Sequence, residues 1–312
     1  MQAHEMKNGR PIRTSSSGII MTLIATILWG LAFVAQQSGM DNIGPFTFSV
    51  CRGYVSAVLL FITALILRKT GFAKSSTDKS MTIKGGIILG IALFFGANLQ
   101  QMGLAYTTVA KAGFITTMYV AFVPFVGILF RNKLRIMDIV CAAVALIGLY
   151  FLSMNTDLSM SKGDLMELGC AFFFSIHILL IDRFAPKADV LLMNGIQFFV
   201  FATLSIIPMA LTEAPTTEGI FSAMIPILYT GVMSGCVAYS LQIFAQQRVE
   251  PALSSLLMCF ESVFAALFGW ILLKQSLSGR ELLGCILVFL ATILSQVYAA
   301  RVNYSLSRSR IL

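Results

Sequence analysis

Long apolar stretches separated by short polar segments are the feature that most limits how this chain can fold. A helix needs about 20 mainly apolar residues to cross the hydrocarbon core of a bilayer, which is about 30 Å thick. Only 12% of the residues are charged, about half the ~25% of soluble domains, and so few charges cannot cover a soluble surface. The sequence predicts an all-α membrane protein with ten transmembrane helices, at about 19–38, 45–67, 83–105, 112–130, 137–154, 165–181, 190–211, 220–243, 252–273 and 281–299.

Basic residues are concentrated in alternate connecting segments. With the N-terminus placed inside, the inner segments hold 17 Lys and Arg residues and the outer segments hold four. Because cytoplasmic loops are enriched in Lys and Arg, both termini are predicted to be cytoplasmic in a multi-pass protein of the cytoplasmic membrane. The net charge of +8 is explained in this way, so no nucleic-acid partner is expected. The polar N-terminus and a first stretch without a cleavage site indicate a retained first span.

The two halves of the chain are similar at an offset of 145 residues. Arg52 and Gln197 lie at matching depth in the second and seventh stretches, and Gly86-xxx-Gly90 corresponds to Gly231-xxx-Gly235. Both glycine pairs should allow close helix packing. Each half holds an odd number of spans, five, so the second repeat must be inverted relative to the first, as in many secondary transporters. The predicted parts are a cytoplasmic tail at 1–18, repeats at 19–155 and 164–300, and a cytoplasmic tail at 301–312.

Several segments carry a family resemblance. They are LWGLAFVAQQSG (28–39), GPFTFSVCRGYVSAVLLF (44–61), LQQMGLAYTTVAKAGFITTMYVAFVP (99–124) and ESVFAALFGWILLKQSLSGRELLGCILVFLA (261–291). In order and spacing they resemble the EamA-like family of the drug/metabolite transporter superfamily, over residues 19–300. The resemblance implies ten helices in two inverted repeats, a central cavity, and transport of small metabolites, often amino acids and commonly as export. The family's Leu-Gly-Glu-like ends of the fourth and ninth spans read FRN (130–132) and LKQ (273–275) here, so no role of that acid is carried over.

Three ionisable residues within the spans are functional candidates, because such groups are costly in lipid. Glu261 either binds a cationic substrate group or a proton, or is a protonated or paired group that fixes helix packing. Arg52 either recognises a substrate carboxylate through its planar guanidinium or, as we favour, forms a fixed ion pair or hydrogen bonds to helix carbonyls. His177 is a proton relay or, by preference, a hydrogen-bonded packing residue. The similar depth of Arg52 and Glu261 suggests that they pair.

Polar and aromatic residues recur at helical spacing on five helix faces, which should point away from lipid. Interhelical hydrogen bonding alone explains any single face, but five faces together favour the lining of a cavity. Amide and aromatic groups would suit a mid-sized zwitterion. Pro124 should kink the fourth span, as a hinge or as a static bend. The candidate substrate-binding residues are Trp29, Phe33, Gln36, Asn98, Gln101, Thr116, Tyr119, His177, Tyr239, Gln242, Ser254, Met258 and Glu261.

Sequence motifs for other chemistry are missing. There is no HExxH, no GxxxxGK[ST] and no CxxC, so no metal, cofactor or ATP site is expected. No second acid is expected within the spans as a partner of Glu261, which argues against an aspartyl-type intramembrane protease. We predict that the chain is not an enzyme.

The functional prediction is a secondary transporter in the lipid bilayer, an exporter of small polar metabolites such as amino acids that works by alternating access. The main alternative is a non-transporting scaffold or sensor, in which the polar faces would pack without a cavity. An intramembrane enzyme is less favoured. The oligomeric state is left open by the sequence.

Overall fold

The computed structural model describes residues 6–7, 10–11, 13–70, 78–130, 136–153, 161–273 and 279–308. Positions 131–132 and 274–275, where the sequence departs from the family's Leu-Gly-Glu-like span ends, lie outside the described residues. Strands β1 (Met6–Lys7) and β2 (Arg10–Pro11) form a short antiparallel pair. A π-helical segment spans Thr230–Ala238. The α-helices are α1 (Ser16–Gly39), α2 (Pro45–Lys69), α3 (Lys79–Leu104), α4 (Val109–Thr117), α5 (Tyr119–Leu129), α6 (Ile136–Ser153), α7 (Lys162–Phe184), α8 (Val190–Thr212), α9 (Thr217–Ser222), α10 (Met224–Tyr229), α11 (Tyr239–Gln246), α12 (Pro251–Met258), α13 (Phe260–Leu273) and α14 (Gly279–Arg308).

Eight helical rods are long and apolar enough to cross a membrane. Five are the single helices α1, α2, α3, α7 and α8. The other three are composite rods, Val109–Leu129, Met224–Gln246 and Pro251–Leu272. The fifth and tenth predicted spans correspond to α6 and α14, whose apolar stretches, Ile136–Gly148 and Leu282–Ala291, are shorter. The all-α class is therefore confirmed for the described residues, apart from β1 and β2, with eight candidate membrane spans.

Large apolar side chains cover the outer surface of the helices. Leu129, Ile136, Leu211 and Ile225 are each 79–82% exposed. Water-soluble monomers rarely expose contiguous apolar surface on this scale, whereas hydrocarbon tails solvate it without cost. The described helices thus belong to a multi-pass membrane protein.

Helix packing sets the two halves of the chain against each other. Helix α2 lies along α8, α3 along α7, α6 along α14, and α1 along α13 and the composite rod α10–α11. At one end of α2, the Glu213 carboxylate accepts backbone N–H bonds from Phe46 and Thr47, both 2.8 Å. At its other end, Arg68 binds the Asp189 carboxylate that caps α8 (2.9 Å). The start of α2 thus lies beside the end of α8, and the end of α2 lies beside the start of α8. The two helices are therefore antiparallel.

An ion pair joins separate segments at each end of the bundle, and each pair is called a closure below. At the proximal end, which contains the start of α1, Arg13 is paired with Asp182 near the end of α7. At the distal end, Lys111 Nζ in the first turn of α4 lies 2.8 Å from Asp164 Oδ2 in the first turn of α7. Helix α7 therefore contributes an acid to each closure.

The two glycine pairs bring helices into close contact, as predicted. A Cβ atom on Gly90 would lie 2.6 Å from Val200 Cβ on α8, and one on Gly235 would overlap the Ser56 hydroxyl on α2. Glycine is required at both positions because any side chain would push the neighbouring helix away.

Helix breaks interrupt the fourth and ninth predicted spans at similar places. The fourth is broken at Met118, between α4 and α5, and the ninth at Cys259, between α12 and α13. Pro124 lies inside α5, beyond the first break. Beside each break, the hydroxyl of Thr117 or Ser262 donates to the carbonyl three residues earlier (2.8 and 2.7 Å), a bond that often bends helices. Because the ninth span breaks without a proline, Pro124 is not required for such a break.

Candidate functional site

A cavity lies inside the bundle, between helices from both halves of the chain. Its wall includes residues of α1, α2, α3, α5, α7, the π-helical segment, α11, α12 and α13. It comprises about 480 Å³ of space not filled by protein atoms, part of it open to the outside. About 40 Å³ can hold the centre of a water molecule, enough for a few waters. The wall contains Arg52 and nine of the thirteen candidate residues, namely Trp29, Phe33, Gln36, Tyr119, His177, Tyr239, Gln242, Met258 and Glu261.

Four candidate residues do not line the cavity and instead make hydrogen bonds. Asn98 Nδ2 donates to Ser205 Oγ on α8 (2.8 Å), and Gln101 Nε2 donates to a carbonyl of α1 (3.4 Å). Thr116 donates to a carboxylate of α7 (2.8 Å), and Ser254 Oγ lies 3.8 Å from the sulfur of Met258 within α12. For the first three, interhelical hydrogen bonding accounts for their polarity.

Arg52 is held by a neutral partner and by aromatic rings. Its Nη1 donates to Gln36 Oε1 (2.9 Å), and its guanidinium lies 5.8 and 5.6 Å from the ring centres of Phe48 and Phe201, close enough for cation–π attraction. Among the described residues, no ion pair within 4.0 Å joins Arg52 to Glu261. The suggested pairing is therefore not formed.

Glu261 lies in the cavity wall just after a helix break. It belongs to the first turn of α13, where the positive end of the helix dipole stabilises a negative group. The residue is 6% exposed, and the Tyr119 hydroxyl lies beside its carboxyl group, although the hydroxyl does not meet the geometry of a hydrogen bond. The position suits either binding or packing, the two alternatives that the sequence leaves open.

His177 belongs to a buried hydrogen-bond chain. Its Nε2 lies 3.0 Å from Gln197 Oε1, Gln197 Nε2 donates to Asn194 Oδ1 (2.5 Å), and Asn194 Nδ2 donates to Ser240 Oγ (2.8 Å). Because an amide oxygen only accepts, the His177 proton must lie on Nε2. These hydrogen bonds join α7, α8 and α11, as expected for a histidine that serves helix packing.

Aromatic rings form one side of the cavity around Tyr239. The ring centres of Trp29, Phe198 and His177 lie 5.1, 5.2 and 5.9 Å from that of Tyr239, all edge to face. Trp29 Nε1, the Tyr119 hydroxyl and Gln242 Oε1 are buried without a hydrogen-bond partner among the described residues. The wall thus offers apolar faces together with free donors and acceptors, which is typical of sites for small polar ligands.

Comparison with known proteins identifies the family. The model of the EamA-like transporter family matches residues 16–154 and, separately, residues 161–296. The chain belongs to the EamA-like transporter family. The resemblance carried by the sequence motifs is thereby confirmed.

Named relatives place this EamA-like protein among transporters, and a solved structure shares its fold. An uncharacterized transporter of Archaeoglobus fulgidus is 28% identical over 272 residues, covering 87% of this chain and 83% of the relative. The threonine/homoserine exporter RhtA of Salmonella typhimurium is 24% identical over 207 residues, 64% of this chain and 68% of RhtA. One crystal structure shares the fold with a TM-score of 0.75 at 18% identity, covering 93% of this chain and 99% of that one. The protein is a transporter and not an enzyme.

Sequence reasoning missed one buried acid in this EamA-like transporter. Glu167 on α7 is fully buried (0% exposed), and one of its oxygens accepts the hydrogen bond from Thr116. The expectation that no second acid lies within the spans is therefore wrong. The sequence contains the signal that would have identified it, a single acid within the apolar stretch LMELGCAFFF (165–174). Gln100 was also missed, although its side chain reaches the cavity while that of Gln101 does not.

Proposed function

We propose that α6 and α14 also cross the membrane, which gives ten spans in two inverted repeats with both termini in the cytoplasm. The packing of α2 on α8 and of α6 on α14 supports a two-fold relation, because each pair joins equivalent helices of the two halves. The two separate matches to one family model support the repeat boundaries at 19–155 and 164–300. The excess of Lys and Arg supports a cytoplasmic proximal end. A green fluorescent protein fused to the C-terminus should fluoresce, as expected for a cytoplasmic C-terminus. If the fusion is dark and one added span restores its fluorescence, the C-terminus lies outside and the proposed orientation is wrong.

The transporter carries small neutral amino acids. The observation that carries this proposal is that Arg52 and Glu261 line one cavity without pairing with each other. A zwitterion supplies the missing partners, since its carboxylate matches the guanidinium fork and its ammonium matches the carboxylate. The amides of Gln36 and Gln242 and the ring of Tyr239 lie in the same wall and would face a short solute side chain once the helices separate. A non-transporting scaffold predicts that the polar helix faces pack without a cavity. The cavity between these faces argues against that alternative.

Export is the proposed direction. The relative RhtA is named as a threonine/homoserine exporter, which supports both small hydroxylated amino acids as solutes and outward transport. L-threonine is therefore the first solute to test.

Transport proceeds by alternating access. Closure by Arg13 and Asp182 at one end and by Lys111 and Asp164 at the other supports a cavity that opens to one side at a time. The space for water-sized molecules, about 40 Å³, is small, so the helices must separate for an amino acid to enter. Helix α7 reaches both closures, so its tilt would open one and tighten the other.

The test is exchange of labelled L-threonine in proteoliposomes with wild type, Arg52→Gln, Glu261→Gln and the exposed control Glu218→Gln. Removing one charged hydrogen bond costs about 1.5–3 kcal/mol, so each cavity variant should lose roughly 10- to 100-fold in apparent affinity. The control should behave as wild type.

Substrate analogues assign the two ends of the solute. Wild type should discriminate against threonine methyl ester and against N-acetylthreonine. Arg52→Gln should lose discrimination against the ester, and Glu261→Gln should lose discrimination against the acetylated amine. Flux that stays linear in concentration, or equal transport by all variants, would refute this assignment of the site.

A further inference from the structure

A line of polar groups connects the distal closure to the cavity. Lys111 binds Asp164 (2.8 Å), and Glu167 follows one turn later on α7, on the same helix face. Glu167 Oε2 accepts from Thr116 Oγ1 (2.8 Å), which in turn accepts from Gln100 Nε2 (3.3 Å). Gln100 lines the cavity. The Lys111 side chain is 26% exposed, whereas those of Asp164 and Glu167 are inaccessible or nearly so. The line therefore runs from the surface to the interior.

The carboxyl group of Glu167 has an unused oxygen. In the part of the chain that the structure describes, its Oε1 is buried and has no hydrogen-bond partner, and the same holds for Asp164 Oδ1. The space for this group depends on Gly103 of α3, since a Cβ there would lie 2.8 Å from both Oε1 and Cγ of Glu167. The fold thus makes room for a carboxyl group and leaves half of it unbonded.

Among the described residues, Glu167 has no ion-pair partner. The nearby cations have other partners: Lys111 on α4 binds Asp164, and Arg52, which interacts electrostatically with Cys170 one turn after Glu167, binds Gln36. From α3, Gln100 and Gly103 lie near the carboxyl group. The other ionisable groups that interact with it are Glu261 on α13 and, on α7 itself, Asp164 and the Cys170 thiol. An ionised carboxylate is costly in such surroundings, and binding a proton removes that cost.

We propose that Glu167 is a proton-binding site that couples solute export to proton entry. This inference rests on the transport function proposed above. A proton is the cation that fits, because a metal ion would need several oxygen ligands, whereas the site offers one free carboxylate oxygen. A proton needs only that oxygen.

The proton follows the line of polar groups inward. It enters from the distal side when the Lys111–Asp164 closure opens, and forms an O–H bond at Oε1 of Glu167. It leaves that oxygen for the water of the cavity and for Glu261, whose carboxyl group interacts electrostatically with that of Glu167. When the proximal end opens, Glu261 releases the proton to the cytoplasmic side. One proton moves inward for each solute that moves outward, and no bond within the solute changes.

The first arm of the test detects the proton itself and needs no solute. Infrared difference spectra of the full chain in nanodiscs are recorded across a pH titration, for wild type, Glu167→Gln, Glu261→Gln and Glu218→Gln. Wild type should show the C=O stretch of a buried protonated carboxyl that disappears as the pH rises. That band should be missing from Glu167→Gln, persist in Glu261→Gln and Glu218→Gln, and return, shifted, in Glu167→Asp, whereas a band of Glu261 should be missing only from Glu261→Gln. A spectrum that is unchanged in Glu167→Gln would overturn the proposal.

The second arm measures coupling in proteoliposomes. With a pH gradient imposed, wild type should concentrate L-threonine, and Glu167→Gln should do so no better than without a gradient while still exchanging labelled for unlabelled threonine. Gradient-driven accumulation by Glu167→Gln would overturn the proposal and leave the transport function standing. If wild type exchanges no solute, the transport proposal fails for that solute, and the infrared titration still decides whether Glu167 binds a proton.

Discussion

Alanine at Gly235 should destabilise the contact between α2 and the π-helical segment. A Cβ atom there would overlap Ser56 Oγ and lie 2.9 Å from Ser56 Cβ, with Phe198 Cζ at 3.2 Å. Overpacking of this kind costs about 1–3 kcal/mol. Moving the Ser56 hydroxyl also disturbs its 2.8 Å hydrogen bonds to the carbonyls of Arg52 and Gly231, worth about 1 kcal/mol. Alanine regains about 1 kcal/mol of helix propensity, so the free energy of unfolding should fall by about 1–3 kcal/mol.

The buried cysteines of the chain provide the assay. Cys141, Cys170 and Cys259 are buried thiols outside any disulfide, so a thiol-reactive dye labels them only as the protein unfolds. Heating in detergent should give a lower midpoint for Gly235→Ala than for wild type. Gly169→Ala is the matched control, because its new Cβ would meet only the end of Leu99 at 3.2 Å and should leave the midpoint unchanged or slightly raised.

A second substitution tests the cause. Ser56→Gly removes both the Cβ and the Oγ that Gly235→Ala would strike, so the double variant should regain most of the lost stability. If Gly235→Ala matches Gly169→Ala, or if Ser56→Gly brings no recovery, the close contact and the argument built on it are wrong.

Three further substitutions probe the helix ends, the buried network and the broken span. Glu213→Gln should lower the midpoint of the dye assay by the equivalent of about 1–2 kcal/mol, because it removes the carboxylate that caps α2, and threonine exchange should persist; loss of exchange would give Glu213 a transport role. Gln197→Leu should cost about 1–3 kcal/mol in the same assay by removing the partners of His177 Nε2 and Asn194 Oδ1, and an unchanged midpoint would contradict the network. Pro124→Ala should leave the exchange rate nearly unchanged, since the equivalent break in the ninth span forms without proline; a large fall in rate would make Pro124 a hinge.

Helical period and apolar length were enough to predict the class of fold and much of the cavity wall. Trp29, Phe33 and Gln36 share one face of α1, and that face points into the cavity. The role of the glycine pairs was also predictable from the sequence, because small residues four positions apart in a transmembrane helix commonly allow close helix packing. These patterns repeat along one helix, so they need no knowledge of its neighbours.

Contacts between helices were not predictable in the same way. Depth in the membrane suggested that Arg52 pairs with Glu261, but depth says nothing about how each helix is rotated, and Arg52 instead meets Gln36 on α1. Neighbouring amides posed a similar problem: Gln100 and Gln101 differ by one position, and only the packed structure shows that Gln100 reaches the cavity. The π-helical segment has no sequence period of its own, so a plain helix was expected there.

Arg52 and Glu261 line one cavity without forming an ion pair, and their other contacts explain why. A buried ion pair between Arg52 and Glu261 would lower the cost of both charges, yet Arg52 is turned toward Gln36 and two phenylalanine rings, and Glu261 toward Tyr119. Neutral partners of this kind hold a charged group in place without cancelling its charge. A zwitterion can then displace water and bind both groups, whereas a preformed ion pair would have to be broken first, at a cost subtracted from its affinity.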